Sequence, residues 1–245
     1  MKVLILGGTR EGRELAEILS GERGFDIVSS LAGRVRDPVL PLGAVRVGGF
    51  GGTEGLRDWL RVNSIDAVVD ATHPFAERIT ANIIAAAGDR PLLLLRRPQW
   101  RPGEGDDWIE VDSLAEAAAA VRRFRRVLLT IGRQGVGNFA AVDNVWFLIR
   151  SIDAPDGPLP PQHELLSSRG PFTVDGELEL MQAHRVDAVV SKNSGGALTE
   201  AKLVAARELR LPVVMIRRPP VPEHVPVAES AADAASWLRG LALER

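Results

Sequence analysis

The sequence contains no cysteine and no tyrosine among its 245 residues. The absence of cysteine excludes disulfides, thiolate nucleophiles, cysteine-ligated iron–sulfur clusters and cysteine-ligated zinc. The absence of tyrosine excludes the tyrosine–lysine proton relay that many short Rossmann-type reductases use. Any proton that this protein transfers in catalysis must therefore come from another group.

An excess of charge of one sign and long hydrophobic runs are also lacking. A net charge of −2 and a pI near 6.1 create no overall field that would attract nucleic acid or an anionic membrane. The apolar runs at residues 3–6 and 92–95 are too short for a signal-peptide core or a bilayer span. We therefore expect a cytoplasmic protein without a nucleic-acid or membrane partner, and no pattern predicts its oligomeric state.

Arginine carries almost all of the positive charge, with 27 arginines against 3 lysines. A GC-rich genome explains such a bias about as well as function does. Arginine nevertheless forms forked contacts with carboxylates and phosphates, so the positions of individual arginines are informative.

Three segments of the first half recur later in the chain. The pairs are residues 66–69 with 187–190 (DAVV), 96–98 with 217–219 (RRP), and 3–8 with 127–132. The first two pairs are displaced by 121 positions and the third by 124. A repeat of this period indicates a duplicated domain. We predict an N-terminal domain over residues 1–125 and a C-terminal domain over residues 126–245.

Each half alternates short apolar runs, typical of buried strands, with segments of helical periodicity. Strands are expected at 2–6, 25–30, 44–47, 66–71, 91–96, 108–111, 127–131, 145–150, 186–191, 212–216 and 225–228. Helices are expected at 12–20, 53–62, 75–87 and 113–124, and the proline-rich stretch 153–163 is expected to be an exposed loop. The pattern predicts an α/β protein with two duplicated, doubly wound Rossmann-like domains, parallel sheets and a ligand cleft between the domains.

A glycine-rich loop follows the first predicted strand and opens a helix. Its residues are Gly7, Gly8, Thr9, Arg10, Glu11 and Gly12. Glycine allows a tight turn and a close approach of the backbone, and a helix N-terminus attracts phosphate. The dinucleotide fingerprint has glycine at the position of Thr9, so a tight turn without a ligand is the alternative.

The end of the second predicted strand indicates which dinucleotide would bind. NAD-binding folds place a carboxylate about 20 residues after the glycines, where it holds the ribose hydroxyls. This chain instead has Ser29 and Ser30, followed by Arg34 and Arg36. Hydroxyl and guanidinium groups suit the 2′-phosphate of NADPH, which a carboxylate would repel. We therefore expect NADPH on the N-terminal domain, the alternative being that these arginines are ordinary solvated loop charges.

Thr72 and His73 follow the predicted strand at 66–71, at the same sheet edge as the glycine loop. Thr72 is a candidate for contact with the cofactor, and His73 can act as an acid, a base or a cofactor contact. A structural histidine before Pro74 is the alternative. The other three histidines have no metal-ligand spacing, so we expect no metal site. A second glycine-dense loop at 48–52 either wraps the cofactor or forms a simple turn.

The corresponding loops of the second half carry positive and polar side chains. Arg133 and Gln134 lie where the first half has its glycine loop, and Lys192, Asn193 and Ser194 follow the strand that repeats 66–69. These groups predict anion binding, so residues 126–245 are expected to bind the substrate. A substrate with several carboxylates would explain this distribution best, and a nucleotide site that degenerated after duplication is the alternative.

Six short motifs occur in order along essentially the whole chain. They are residues 7–12 (GGTREG), 48–52 (GGFGG), 70–76 (DATHPFA), 130–135 (TIGRQG), 170–172 (GPF) and 192–196 (KNSGG). Together they resemble the precorrin-6A reductase family of cobalamin biosynthesis, including its cobalt-precorrin counterpart. The resemblance implies an oxidoreductase that uses NADPH to reduce one carbon–carbon double bond of a tetrapyrrole macrocycle bearing acetate and propionate groups.

The resemblance also implies a division of roles, with hydride passing directly to a conjugated carbon of the macrocycle. The residues expected to contact the substrate are Arg10, His73, Arg133, Gln134, Lys192, Asn193 and Ser194. The proton that follows would come from His73, Lys192, a substrate carboxylate or water.

Two other functions fit the same residues. One is an NADPH-dependent reductase or epimerase of a different polyanionic metabolite. The other is a module that binds a nucleotide or a tetrapyrrole without catalysis. The sequence does not indicate whether the macrocycle carries cobalt.

Overall fold

In residues 1–33 and 40–243, which a computed structural model describes, twelve strands form two six-stranded parallel sheets. The strands are β1 (Lys2–Leu6), β2 (Asp26–Leu31), β3 (Ala44–Val47), β4 (Ala67–Asp70), β5 (Leu92–Leu95), β6 (Trp108–Val111), β7 (Arg126–Thr130), β8 (Trp146–Ser151), β9 (His163–Ser167), β10 (Ala188–Lys192), β11 (Val213–Ile216) and β12 (Val227–Ala228). The α-helices are α1 (Arg10–Ser20), α2 (Gly52–Val62), α3 (Glu77–Ala86), α4 (Leu114–Ala120), α5 (Val174–Ala183), α6 (Ala201–Glu208) and α7 (Ala231–Leu243). Short 3₁₀ helices cover Val121–Arg123, Arg133–Phe139 and Ala197–Thr199.

The two sheets have the same strand order. The first runs β3-β2-β1-β4-β5-β12, and the second runs β9-β8-β7-β10-β11-β6. This is the order of a doubly wound dinucleotide-binding fold, in which the connections reverse direction between the first and the fourth strand. The predicted α/β class with two parallel, doubly wound sheets is confirmed.

The sixth strand of each sheet comes from the other half of the sequence. β6 pairs with β11, with Val213 beside Trp108, and β12 pairs with β5, with Val227 beside Leu94. The chain accordingly divides into unit 1, formed by Met1–Pro98 and Pro219–Arg245, and unit 2, formed by Gln99–Arg218. These units differ from the predicted break between residues 125 and 126. Each exchanged strand takes the same place in its sheet, at the edge beside the fifth strand, so sequence order does not reveal the exchange.

The central strands of unit 1 are apolar because helices cover both faces of the sheet. Successive side chains of a strand point to opposite faces, so Val3 and Ile5 pack with α1 and α7, while Leu4 and Leu6 pack with α2 and α3. All four of these side chains are essentially inaccessible to water. The same alternation in the second sheet turns Leu128 of β7 toward α5 and α6.

Helix α7 completes the core of unit 1 although it lies at the far end of the chain. Leu238 is fully buried in the same cluster as Leu15 and Leu19 of α1. Arg239 binds Glu22, which follows α1, through two guanidinium–carboxylate contacts. Unit 1 therefore depends on residues that the sequence-based boundary assigned to the other domain.

Strand β9 was not predicted from the sequence. Its side chains are exposed or only partly buried, so it lacks the apolar run that identified the other strands. The proline-rich stretch before it has no helix or strand between residues 152 and 162, as expected. Across the described ranges, no helix is both long enough and apolar enough to cross a membrane.

The exchange leads to a stability prediction for α7. We expect Leu238→Ala to lower the free energy of unfolding by about 2–5 kcal/mol, because it leaves a cavity against α1. Leu243→Ala on the same helix is the control, since Leu243 is 89% exposed and should change stability little. Urea denaturation of both variants measures the difference, and equal midpoints would contradict the packing of α7 in unit 1.

Candidate functional site

The loop after β1 lies at the point where the strand order of unit 1 reverses, which is where ligands of this fold class bind. The Gly7 amide donates to the Ser30 carbonyl at 2.9 Å and so joins the ends of β1 and β2. Gly8 has φ +118°, a conformation that side-chain-bearing residues rarely adopt. No described atom lies within 4 Å of the position that a Gly8 Cβ would take, so the backbone is open to a ligand there.

Thr9 occupies the position at which the dinucleotide fingerprint has glycine, and it has a structural role there. Its hydroxyl accepts a hydrogen bond from the Gly12 amide at 3.2 Å and donates one to the Ala71 carbonyl at 2.7 Å. Thr9 therefore caps α1 and links the loops that follow β1 and β4. Gly12 allows these two loops to approach closely, since a Cβ at this position would lie 3.0 Å from the Ala71 Cβ.

The two charged residues of this loop are paired. The Arg10 guanidinium lies 2.6 Å from the Glu14 carboxylate on the exposed face of α1. Glu11 lies 3.0 Å from the Arg97 guanidinium, and both side chains are largely buried. The amides at the start of α1 thus remain the group that best suits an anion.

A buried ion pair fixes the loop after β4. The fully buried Asp70 carboxylate lies 2.8 Å from the Arg96 guanidinium. The same carboxylate accepts hydrogen bonds from the amide and hydroxyl of Thr72 and from the hydroxyl of Thr80. Arg96 also donates to the Thr72 carbonyl at 3.1 Å. This network holds Thr72, a predicted cofactor contact, in one conformation.

His73 follows Thr72 and is exposed to solvent. Its Nδ1 accepts a hydrogen bond from the Phe75 amide at 3.3 Å. In the neutral ring the proton therefore lies on Nε2.

The two predicted serines of β2 lie in different surroundings, because neighbouring strand residues face opposite ways. Ser29 is 1% exposed, and its hydroxyl has no hydrogen-bond partner in the described part of the chain. The Ser30 hydroxyl lies at the carboxyl end of the strand and accepts a hydrogen bond from the Arg46 guanidinium at 3.1 Å. Arg34 and Arg36, the other predicted groups at this edge, lie outside the described residues.

Arg46 is a site residue that sequence reasoning missed. Its guanidinium also donates to the carbonyls of Gly48 at 2.7 Å and Gly49 at 2.6 Å, and it lies 3.7 Å from the centre of the Phe50 ring. Partial burial lowers the pKa of Arg46 from its usual value, yet a guanidinium keeps its charge in proteins. The sequence feature that could have indicated Arg46 is its place two residues before the glycine-dense loop at 48–52.

The corresponding loop of unit 2 differs from the glycine loop. Arg133 begins a 3₁₀ helix that runs to Phe139, where unit 1 has α1. The Arg133 guanidinium lies 3.6 Å from Asp156, and Gln134 is exposed. A short 3₁₀ helix presents less of the aligned dipole that favours phosphate, so this loop offers mainly a side-chain charge.

The loop after β10 is tied to its own unit through backbone contacts. Lys192 ends the strand and is partly exposed. The Asn193 side chain is buried and binds both the amide and the carbonyl of Trp100, at 2.9 and 3.0 Å. Arg218 donates to the carbonyls of Asn193 and Ser194 at 2.7 and 2.8 Å. Sequence reasoning missed Arg218, although the repeated Arg-Arg-Pro motif contains it.

Unit 2 also contains a buried ion pair beside a cavity. The Arg150 guanidinium lies 2.7 Å from the Glu177 carboxylate and 4.0 Å from the centre of the Phe172 ring. These residues line a cavity of about 280 Å³ together with Ser168, Pro171 and others. The second Glu177 oxygen is buried and has no hydrogen-bond partner among residues 1–33 and 40–243. Within those same ranges, no group of acidic or histidine side chains could hold a metal ion.

The chain is similar to known proteins over nearly all of its length. A family model described as precorrin-6x reductase CbiJ/CobK matches residues 2–239. The precorrin-6A reductase of Rhodococcus erythropolis is 53% identical over 240 residues, covering 97% of each chain. The cobalt-precorrin-6A reductase of Priestia megaterium is 28% identical over 233 residues, covering 89% of this chain and 91% of the relative. A solved structure of CobK precorrin-6A reductase has a TM-score of 0.90 at 42% identity, covering 98% of this chain and 96% of that one.

The buried ion pair of unit 1 leads to a prediction. We expect Asp70→Ala to lower the free energy of unfolding by about 3–5 kcal/mol, because it leaves the Arg96 charge buried without compensation. The control is Asp58→Ala, which removes a pair with Arg61 whose side chains are 71% and 70% exposed. That change should cost no more than about 1 kcal/mol. Urea denaturation distinguishes the two, and a similar small loss for both variants would contradict the structural role of Asp70.

Proposed function

Since this chain belongs to the precorrin-6x reductase family and is therefore an oxidoreductase, we propose that it reduces precorrin-6A with NADPH. The reaction reduces one carbon–carbon double bond of the macrocycle by direct hydride transfer in cobalamin biosynthesis. The observation that carries the NADPH proposal is the open Gly8 backbone just before α1, where the strand order of unit 1 reverses.

The residues of unit 1 fit a dinucleotide. Backbone amides of the glycine loop and the N-terminus of α1 would hold the pyrophosphate, and Thr9 keeps that loop fixed against the loop after β4. Ser30 lies where the fold holds the adenosine ribose. We assign this contact to Ser30 rather than Ser29 because the Ser30 hydroxyl contacts the Arg46 guanidinium, whereas the Ser29 hydroxyl is buried without a hydrogen-bond partner among the described residues. Thr72 is held at the neighbouring strand end and would contact the cofactor there. NADPH, when bound, supplies the hydride.

Unit 2 would recognise the carboxylates of the substrate. Arg133 and Lys192 carry the positive charge at the carboxyl ends of β7 and β10. Gln134 and Ser194 add polar groups to the same loops, whereas the Asn193 amide is bound to Trp100 and would fix the loop. Arg10 is paired with Glu14 on the surface of unit 1 and is the weaker candidate for a carboxylate.

We assign the proton that follows the hydride to His73. It is exposed, it lies directly after the Asp70–Thr72 network, and a histidine side chain can act as a general acid. Lys192 is the alternative donor. No tyrosine competes for this role.

The relatives favour a substrate without cobalt. The relative named for precorrin-6A is 53% identical to this chain, while the relative named for cobalt-precorrin-6A is 28% identical. We therefore propose metal-free precorrin-6A as the preferred substrate.

Anaerobic assays with the purified protein test the proposed reaction. We expect precorrin-6A to cause oxidation of NADPH, with slower oxidation of NADH and slower turnover of cobalt-precorrin-6A. Absence of oxidation with both macrocycles would overturn the proposal. Oxidation that does not depend on any tetrapyrrole would favour a reductase of another metabolite, and tight binding without turnover would favour a binding module.

The role of His73 leads to a separate prediction. We expect His73→Ala to lower kcat by about 100-fold or more while leaving the KM for NADPH nearly unchanged, because proton transfer alone is affected. His224→Ala is the control, since His224 is an exposed histidine of the same unit. Full turnover of His73→Ala between about pH 5 and 8 would exclude His73 as the donor.

A further inference from the structure

We propose that Arg46 determines the choice of NADPH over NADH by pairing with the 2′-phosphate of the adenosine. This inference rests on the proposed function, because it concerns the same nucleotide site. It assigns the phosphate to a residue of β3 that the sequence analysis did not select.

Arg46 lies beside the strand end at which this fold binds the adenosine ribose. The Ser30 carbonyl accepts a hydrogen bond from the Gly7 amide, and the Ser30 hydroxyl accepts one from Arg46. Ser30 therefore contacts both the glycine loop, which suits the pyrophosphate, and the Arg46 guanidinium. In this fold, a carboxylate at the end of the second strand holds the ribose of NAD, and an arginine nearby accommodates the extra phosphate of NADP. Ser30 replaces that carboxylate, and Arg46 is the adjacent arginine.

The Arg46 side chain is preorganised to bind an anion. The Arg46 guanidinium is fixed by Ser30, by the carbonyls of Gly48 and Gly49, and by the face of the Phe50 ring. Across the residues that the structure describes, no carboxylate lies within 4.0 Å of this guanidinium. Its charge is thus held in place by neutral groups, so little side-chain freedom is lost when an anion binds.

Unit 2 carries a different residue at the position that corresponds to Ser30. Residues 3–6 correspond to residues 127–130, and Ser29 lies beside Ile5 as Ile149 lies beside Leu129. Arg150 follows Ile149 and so takes the position of Ser30.

Both units therefore place a guanidinium on a phenylalanine ring at the same edge of their sheets. Arg46 lies 3.7 Å from the centre of Phe50, and Arg150 lies 4.0 Å from the centre of Phe172. The Arg150 charge is compensated by Glu177 at 2.7 Å. A phosphate dianion is accordingly attracted to the edge of unit 1 and not to that of unit 2, which supports a single nucleotide site in spite of the duplication.

The test compares two ligands that differ only in the 2′-phosphate. Adenosine 2′,5′-bisphosphate and AMP are titrated calorimetrically into the full-length protein and into Arg46→Gln, Arg46→Lys and Arg61→Gln. Arg61→Gln is the matched control, because Arg61 is an exposed arginine of the same unit. These ligands lack the nicotinamide, so binding is measured independently of catalysis.

We expect the unsubstituted protein to prefer the bisphosphate by about 10- to 100-fold, the usual size of a charge-assisted contact. Arg46→Gln should abolish this preference without changing the affinity for AMP, Arg46→Lys should retain part of it, and Arg61→Gln all of it. If Arg46→Gln keeps the full preference for the bisphosphate, the proposed role of Arg46 is overturned but the NADPH proposal is not. Equal losses for both ligands in both Arg46 variants also overturn it, because Arg46 would then only support the fold. Absence of any preference in the unsubstituted protein overturns the NADPH proposal as well.

Discussion

The buried pair between Asp70 and Arg96 constrains the candidate nucleotide site more than any other interaction in unit 1. It joins the ends of β4 and β5 and, through Thr80, the start of α3. The adjoining Ala71 carbonyl binds Thr9, so the loop at the start of α1 is held against the same strand end. A buried ion pair contributes little net stability, but it favours one arrangement strongly, because either charge left alone would be costly. The glycine loop after β1 and the loop of His73 are thereby fixed relative to each other.

Unit 2 holds the corresponding loop, which follows β10, through different contacts. This difference supports the different roles that we propose for the two units. Arg218 binds the carbonyls of Asn193 and Ser194, and Ser191 occupies the place of Asp70 in the repeat. The glycine loop and α1 of unit 1 are replaced by a 3₁₀ helix that begins at Arg133. The duplicated sheet is thus retained while the strand-end loops change from backbone amides, which suit phosphate, to side-chain charges, which suit carboxylates.

Much of the fold could be predicted because buried parallel strands contain unbroken apolar runs, as β1, β4, β7 and β10 do in their central residues. The loops that follow these strands could be predicted for the same reason, and they include Thr9, Thr72 and Arg133. The boundary between the units could not be predicted, since the exchange of β6 and β12 leaves the local sequence pattern unchanged. Arg46 and Arg96 were missed because their partners are brought to them by the sheet, and the exposed β9 has no apolar signal.

The central claim is that a nucleotide held by unit 1 gives its hydride directly to the macrocycle. In a chain without cysteine or tyrosine, catalysis would rest mainly on positioning. The most direct measurement uses NADPH deuterated at C4 of the nicotinamide, in ordinary water, with mass spectrometry of the reduced precorrin. The account predicts that the product retains one deuterium when the transferred position is labelled and none when the opposite face is labelled. A product without deuterium from either form would contradict direct hydride transfer.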